Sequence, residues 1–155
     1  MTNPQLGDTA PDFTIIGDAG PIRLGDFAGK KLVLYFYPKD DTPGCTTEGK
    51  DFSGLVEAFA AADAHVVGVS RDSLAAHAKF RAKHDLKVAL GADTDGAVTE
   101  AYGVWVEKAM YGKTYMGIER ATFLIGRDGH IAQVWHKVKV AGHAAQVLAA
   151  AQALG

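Results

Sequence analysis

One side chain stands out for reactivity in 155 residues, the single cysteine, Cys45. It lies in Asp40-Asp41-Thr42-Pro43-Gly44-Cys45-Thr46-Thr47-Glu48, turn residues that run into a helical pattern. A lone cysteine can be an inert, buried hydrophobe. The surroundings of Cys45 offer a second reading. The apolar run Lys31–Tyr37 just before it suits a strand buried on both faces. Cys45 therefore falls at the carboxyl end of a central strand, where α/β sheets place ligands. It also falls at a helix N-terminus, whose free N–H groups and dipole favour an anion. The thiolate is the nucleophilic form of cysteine, and such positions lower a thiol pKa from about 8.5. Cys45 precedes Phe52 by two helical turns, which puts it on the core-facing side, at the bottom of a small pocket.

Thr42, three residues earlier, could hydrogen-bond the thiolate or a bound ligand, or serve as a helix cap or turn threonine. Arg120 opens the apolar strand Arg120–Ile125. A flanking arginine either faces solvent or, if this strand neighbours the one before Cys45, reaches the thiolate. The histidines His65, His77, His84, His130, His136 and His143 lack zinc-helix spacing and read as surface residues. Asp93-Thr94-Asp95-Gly96 misses the ligand spacing of a calcium loop and reads as a turn and helix cap. Lys79, Arg81, Lys83 and His84 read as a solvated helix face. Trp105, Met110, Tyr111 and Met116 lie in the least regular stretch. They read as half-buried packing, or as a pocket wall or partner-docking patch.

These residues need a scaffold, and periodicity outlines one. Phe13–Ile16 and Ile22–Leu24 flank a Gly/Pro turn as an N-terminal hairpin. After Cys45, Phe52, Leu55, Val56 and Phe59 mark one face of a helix. His65–Ser70 is a second buried strand, and Asp72 or Ser73 can cap a helix to about His84. Val88–Leu90 is a short strand and Gly96–Tyr102 a short helix. Ala121–Gly126 and His130–His136 flank Arg127-Asp128-Gly129, a tight antiparallel turn. Val147, Leu148, Ala151 and Leu154 stripe a last helix. A strand–helix–strand unit with a right-handed crossover, followed by a hairpin and a covering helix, gives an α/β fold. The expectation is a mixed central sheet with helices on both faces, in a thioredoxin-like arrangement, as one domain over 1–155.

Composition narrows the functions. Apolar residues make up 48% and charged residues 22%, which excludes intrinsic disorder. A net charge of −2 argues against a nucleic-acid partner. No apolar run approaches the ~20 residues of a membrane span. Met1–Leu24 shows no export signal, so a cytoplasmic location is expected. One cysteine rules out a disulfide within the chain and cysteine-rich zinc sites.

Tyr35-Phe-Tyr-Pro-Lys-Asp-Asp-Thr-Pro-Gly-Cys-Thr-Thr-Glu48 resembles the active-site signature of peroxiredoxins, in particular the bacterioferritin-comigratory or Q-type subgroup. Its pattern Pro-x-x-x-Thr/Ser-x-x-Cys is met by Pro38, Thr42 and Cys45. Gly7-Asp8-x-Ala10-Pro11-Asp12-Phe13 and Arg120–Ile125 resemble two further segments of the family, in the right order. The resemblance implies a thiol peroxidase acting on hydrogen peroxide and organic hydroperoxides. In it Cys45 attacks the peroxide and becomes a sulfenic acid. Thr42 bonds the peroxide and thiolate, Arg120 stabilises the charge, and Pro38 shapes and shields the pocket. No metal, haem, flavin or other cofactor is expected. Relatives often carry a resolving cysteine five residues on, where this chain has Lys50, and the position used by others in the following helix is also without one. A one-cysteine mechanism is therefore expected, with an external thiol as reductant: thioredoxin, glutaredoxin or glutathione. A monomer or weak homodimer is expected. The alternative is a peroxide sensor or redox-relay module that oxidises at Cys45 without sustained turnover.

Overall fold

The computed structural model describes residues 4–155. A hairpin of β1 (Thr14–Gly17) and β2 (Gly20–Arg23) opens the chain. β3 (Lys31–Phe36) leads to α1 (Pro43–Gly54) and α2 (Val56–Ala61). β4 (Ala64–Ser70), α3 (Leu74–His84), β5 (Ala89–Ala92) and α4 (Ala97–Ala101) follow. Next come β6 (Trp105–Met110), β7 (Lys113–Ile118), β8 (Ala121–Ile125), β9 (Ile131–Trp135) and α5 (His143–Ala153). Seven strands form one sheet in the order β2-β1-β5-β4-β3-β8-β9. β3, β4 and β5 run parallel, whereas β8 and β9 and the N-terminal hairpin are antiparallel to their neighbours. This is the mixed, thioredoxin-like sheet the periodicity implied.

All six residues of β3 are buried because the strand separates two apolar layers. Leu32, Leu34 and Phe36 join Val67, Val69, Tyr102 and Phe123 on one face. Val33, Tyr35 and Tyr37 join Cys45, Phe52, Phe80, Leu124 and Val147 on the other. The second layer seats α1. Tyr35 stacks on Phe52 with ring centroids 4.6 Å apart. Tyr35 has room because its strand neighbour is Gly68, where an added Cβ would come within 2.6 Å of the ring. The sheet position of β3 and the ring under α1 thus fix where Cys45 can be.

Two elements differ from the sequence expectation. The helix after Cys45 is interrupted at Leu55, whose φ −110° and ψ 6° cap α1 and begin α2. Phe52, Leu55, Val56 and Phe59 still pack into one layer, so the apolar spacing survives the break. The irregular stretch is a separate two-stranded hairpin, β6–β7. Its turn places Tyr111 and Gly112 at φ +53° and +76°, the left-handed pair of a tight hairpin. Trp105 is half-buried under the Arg71 guanidinium, 3.4 Å from the ring centre, but Met110, Tyr111 and Met116 are exposed rather than half-buried. The Asp93 segment is a helix cap, as its spacing implied: its carboxylate accepts from the Val98 and Thr99 N–H groups.

Candidate active site

The chain leaves β3 through Tyr37 and half-buried Pro38, then turns at Asp41, whose φ is +60°. Thr42 is the extended N-cap residue of α1, and Pro43 takes the first helical position, where a missing N–H costs nothing. Cys45 occupies the first turn and is 2% exposed. Among the described residues no side chain caps α1 or accepts from the N–H groups of its first turn, which present positive charge beside the sulfur.

Arg120 precedes β8, the antiparallel neighbour of β3, and this pairing carries its guanidinium to the thiol. Nη2 donates to Cys45 Sγ at 3.3 Å. Nη1 donates to Glu48 Oε1 at 2.6 Å. The approach depends on Gly44, where a Cβ would stand 3.1 Å from Nη2.

The sequence reading assigns Glu48 no role. It lies one turn beyond Cys45 on the same helical face, a spacing that could have pointed to it. Its side chain is 1% exposed, and Oε2 has no partner among the described residues. Burial outweighs the attraction of Arg120 and raises its pKa to about 7. Burial also opposes the charge on Arg120, but Glu48 and Cys45 overcome this and hold it above the ordinary arginine value. Lys108 on β6 is pushed down by burial and then by Arg120, so the hairpin brings a second cation near the site.

Thr42 and Cys45 are brought to the same turn, but they are not hydrogen-bonded in this structure. The Thr42 hydroxyl donates to the Lys39 carbonyl at 2.8 Å, closing the loop on itself.

The histidines depart from a uniform surface reading. His65, His130 and His136 are exposed and His84 is half-buried, but His77 and His143 are buried. His143, beneath Phe52, meets Thr122 Oγ1 at 2.7 Å. Burial, and secondarily Arg120, lowers its pKa to about 4, so it is neutral near pH 7. The basic face of α3 is not simply solvated either. Arg81 grips Asp18, and Lys83 and His84 both bind Asp41. Asp40, Asp72 and His77 bring polar atoms within 4.8 Å of one another, the spacing of a metal site. Their facing atoms already hold protein hydrogen bonds, which argues against a cation there.

A family profile described as AhpC/TSA matches residues 6–134. The chain belongs to the AhpC/TSA family. Within it, the relatives are peroxiredoxins. The chain is 55% identical to Peroxiredoxin Bcp of Xanthomonas campestris, covering 99% of this chain and 98% of that one. It is 50% identical to Peroxiredoxin Bcp of Bacillus subtilis, covering 93% and 92%. Among solved structures, peroxiredoxin Q of X. campestris superposes with a TM-score of 0.88 at 48% identity, covering 97% and 96%. PrxQ of Xylella fastidiosa gives 0.91 at 41%, covering 96% of each chain. This is a Bcp/PrxQ-type peroxiredoxin, a thiol-dependent peroxidase by family, and its one cysteine fits the one-cysteine type. The family implies a peroxide substrate and a thiol reductant. Among the described residues, no helix is long and apolar enough to cross a membrane.

Proposed function

We propose that this peroxiredoxin reduces hydrogen peroxide and organic hydroperoxides by direct attack of the Cys45 thiolate, and that an external thiol completes each cycle. The observation that carries the proposal is Arg120 Nη2 at 3.3 Å from the buried sulfur in the first turn of α1. The thiolate displaces one peroxide oxygen, the O–O bond breaks, and Cys45 becomes a sulfenic acid. The departing hydroxide or alkoxide takes a proton and leaves as water or alcohol. Arg120 and the open N–H groups of α1 stabilise the negative charge as it shifts from sulfur to oxygen. Thr42 bonds the peroxide: its hydroxyl accepts from the substrate while donating to the Lys39 carbonyl, or exchanges that carbonyl for the substrate. Pro38, half-buried beside the loop, shapes and shields the pocket.

The sulfenic acid has no second cysteine in the chain to meet. One external thiol forms a mixed disulfide with Cys45 and releases water. A second thiol restores Cys45 and carries away the oxidised pair. Thioredoxin, glutaredoxin and glutathione are the candidate donors, acting in the cytoplasm on a monomer or weak homodimer. Steady-state peroxide consumption with each donor tests this. Sustained turnover with at least one, and none in Cys45→Ser, is expected. One turnover followed by arrest with every donor would instead indicate a sensor.

A further inference from the structure

His77 lies in α3, yet it is fully buried and tied to the loop that leads to the thiol. Nδ1 is 2.6 Å from Asp40 Oδ2, and Nε2 is 2.9 Å from the Gly91 carbonyl of β5. A neutral imidazole has one N–H, so satisfying a carboxylate and a carbonyl together takes the imidazolium. Asp40 is held on its other sides as well. The Tyr37 hydroxyl donates to Oδ1 at 2.6 Å, and the Asp40 N–H donates to Asp72 Oδ2 at 2.9 Å. Asp72 also accepts from Ser70 Oγ at 2.6 Å.

The next residue is held from outside. The left-handed backbone at Asp41 turns consecutive carboxylates apart. Asp40 points inward to His77, and Asp41 points outward to Lys83 and His84, each at 2.7 Å. A single helix, α3, therefore clasps both residues directly ahead of Thr42 and Cys45.

We propose that His77 is a positioning residue for peroxide reduction: through its bond to Asp40 it fixes the Pro38–Thr42 loop, and with it Thr42 and the first turn of α1, to α3. This rests on the peroxidase reading above and extends it to a group that touches no reacting atom. Displacing catalytic groups by about 1 Å can cost about 100-fold in rate. The groups facing His77 are Asp40 from the loop, Tyr37 from the end of β3, Asp72 from the β4–α3 turn and Asp18 from the β1–β2 turn. Arg81, on α3 itself, is committed to Asp18. Burial works against the cation, but the bond to Asp40, its charge, Gly91 and Asp72 prevail and raise the His77 pKa above the ordinary value.

Two amide variants separate the two bonds. His77→Asn places an N–H near the position of Nδ1 and retains the link to Asp40. His77→Gln places one near Nε2 and retains only the link to Gly91. For each, the rate of Cys45 oxidation by hydrogen peroxide is compared with its alkylation by iodoacetamide, which needs the thiolate but not the peroxide geometry. The Gln variant should lose about 10- to 100-fold in the peroxide rate while alkylation is retained, and the Asn variant should stay within about threefold. Equal losses in both variants, no loss in either, or alkylation falling in parallel would overturn the proposal. If the Gln variant does not fold, Asp40→Asn, which weakens the same bond from the other side, must show the same split. In the wild type, nitrogen NMR at pH 7 should find both His77 ring nitrogens protonated, and a neutral ring would also overturn it. A wild type that consumes no peroxide would defeat the peroxidase reading instead, and the NMR result would still judge the His77 bridge.

Discussion

At the residue scale, the site depends on which charges are close to sulfur and which are buried. Arg120 is the nearest cation-bearing donor to Cys45 that the structure shows. Arg120→Met should lower the peroxide rate by about 100-fold, the scale for losing one oriented donor to a developing anion. Stopped-flow oxidation of the reduced variant measures it, and a loss under threefold would remove Arg120 from the chemistry. Glu48 makes a different prediction. Its pKa rises from 4.5 to about 7 on folding, so the native state binds more protons than the unfolded state between those values. Stability should therefore fall as pH rises from about 4.5 to 7 and then level off, the reverse of a carboxylate whose pKa is lowered on folding. Glu48→Gln should flatten that slope, worth up to about 3 kcal/mol. Urea unfolding at a series of pH values reads it. Unchanged slopes in the variant would mean that Arg120 keeps Glu48 ionised throughout. The positions of Cys45 and Arg120 were legible in sequence because one opens the helical pattern that follows a buried strand run and the other directly precedes an apolar strand run. Thr42 was legible as a position only, since a hydroxyl rotates freely and here selects Lys39. His77 and His143 were not legible as buried, because a histidine adds nothing to apolar periodicity and its partners lie far along the chain.

At the element scale, α1 must hold the thiol and, on the proposed cycle, later give an external thiol access to it. Residues 45 and 50 share the regular helix α1, with Lys50 exposed. Five residues of helix separate Cα atoms by roughly 8–9 Å, beyond the ~7 Å limit of a disulfide. Lys50→Cys should therefore form a 45–50 disulfide after one equivalent of peroxide only by unwinding the start of α1, with a loss of helical circular dichroism. The absence of a side-chain cap and Gly49 within the helix both make unwinding easier. A disulfide formed with helix content unchanged would show that α1 is not the oxidised-state geometry's starting point. The break at Leu55 escaped the sequence because α1 and α2 keep their apolar spacing across it. The β6–β7 hairpin escaped because its turn is Tyr111-Gly112, not the Asn-Gly or Asp-Gly pair that marks such turns, and because its strands bury little.

At the scale of the whole molecule, the continuous β3 run and the strand–helix alternation made the mixed sheet readable, since a strand buried on both faces must lie centrally. The order of the outer strands was less so, because antiparallel β1 joins β5 through a short register that leaves no pattern in sequence. The molecule as a whole has one thiol, and it is free. Without an external reductant, its sulfenic acid should persist and meet further peroxide. Activity should then fall with peroxide dose and not return with dithiothreitol, and intact mass should gain two oxygens on Cys45. Full recovery after every dose would show that the fold protects the sulfenic acid.

The most direct test of the central claim is a single-turnover trap. Reduced protein is mixed with one equivalent of hydrogen peroxide and dimedone, without added thiol, and digested for mass spectrometry. The account predicts loss of the peroxide and one dimedone adduct, carried by Cys45. Peroxide consumed with Cys45 unmodified, or Cys45 left reduced with the peroxide intact, would contradict it.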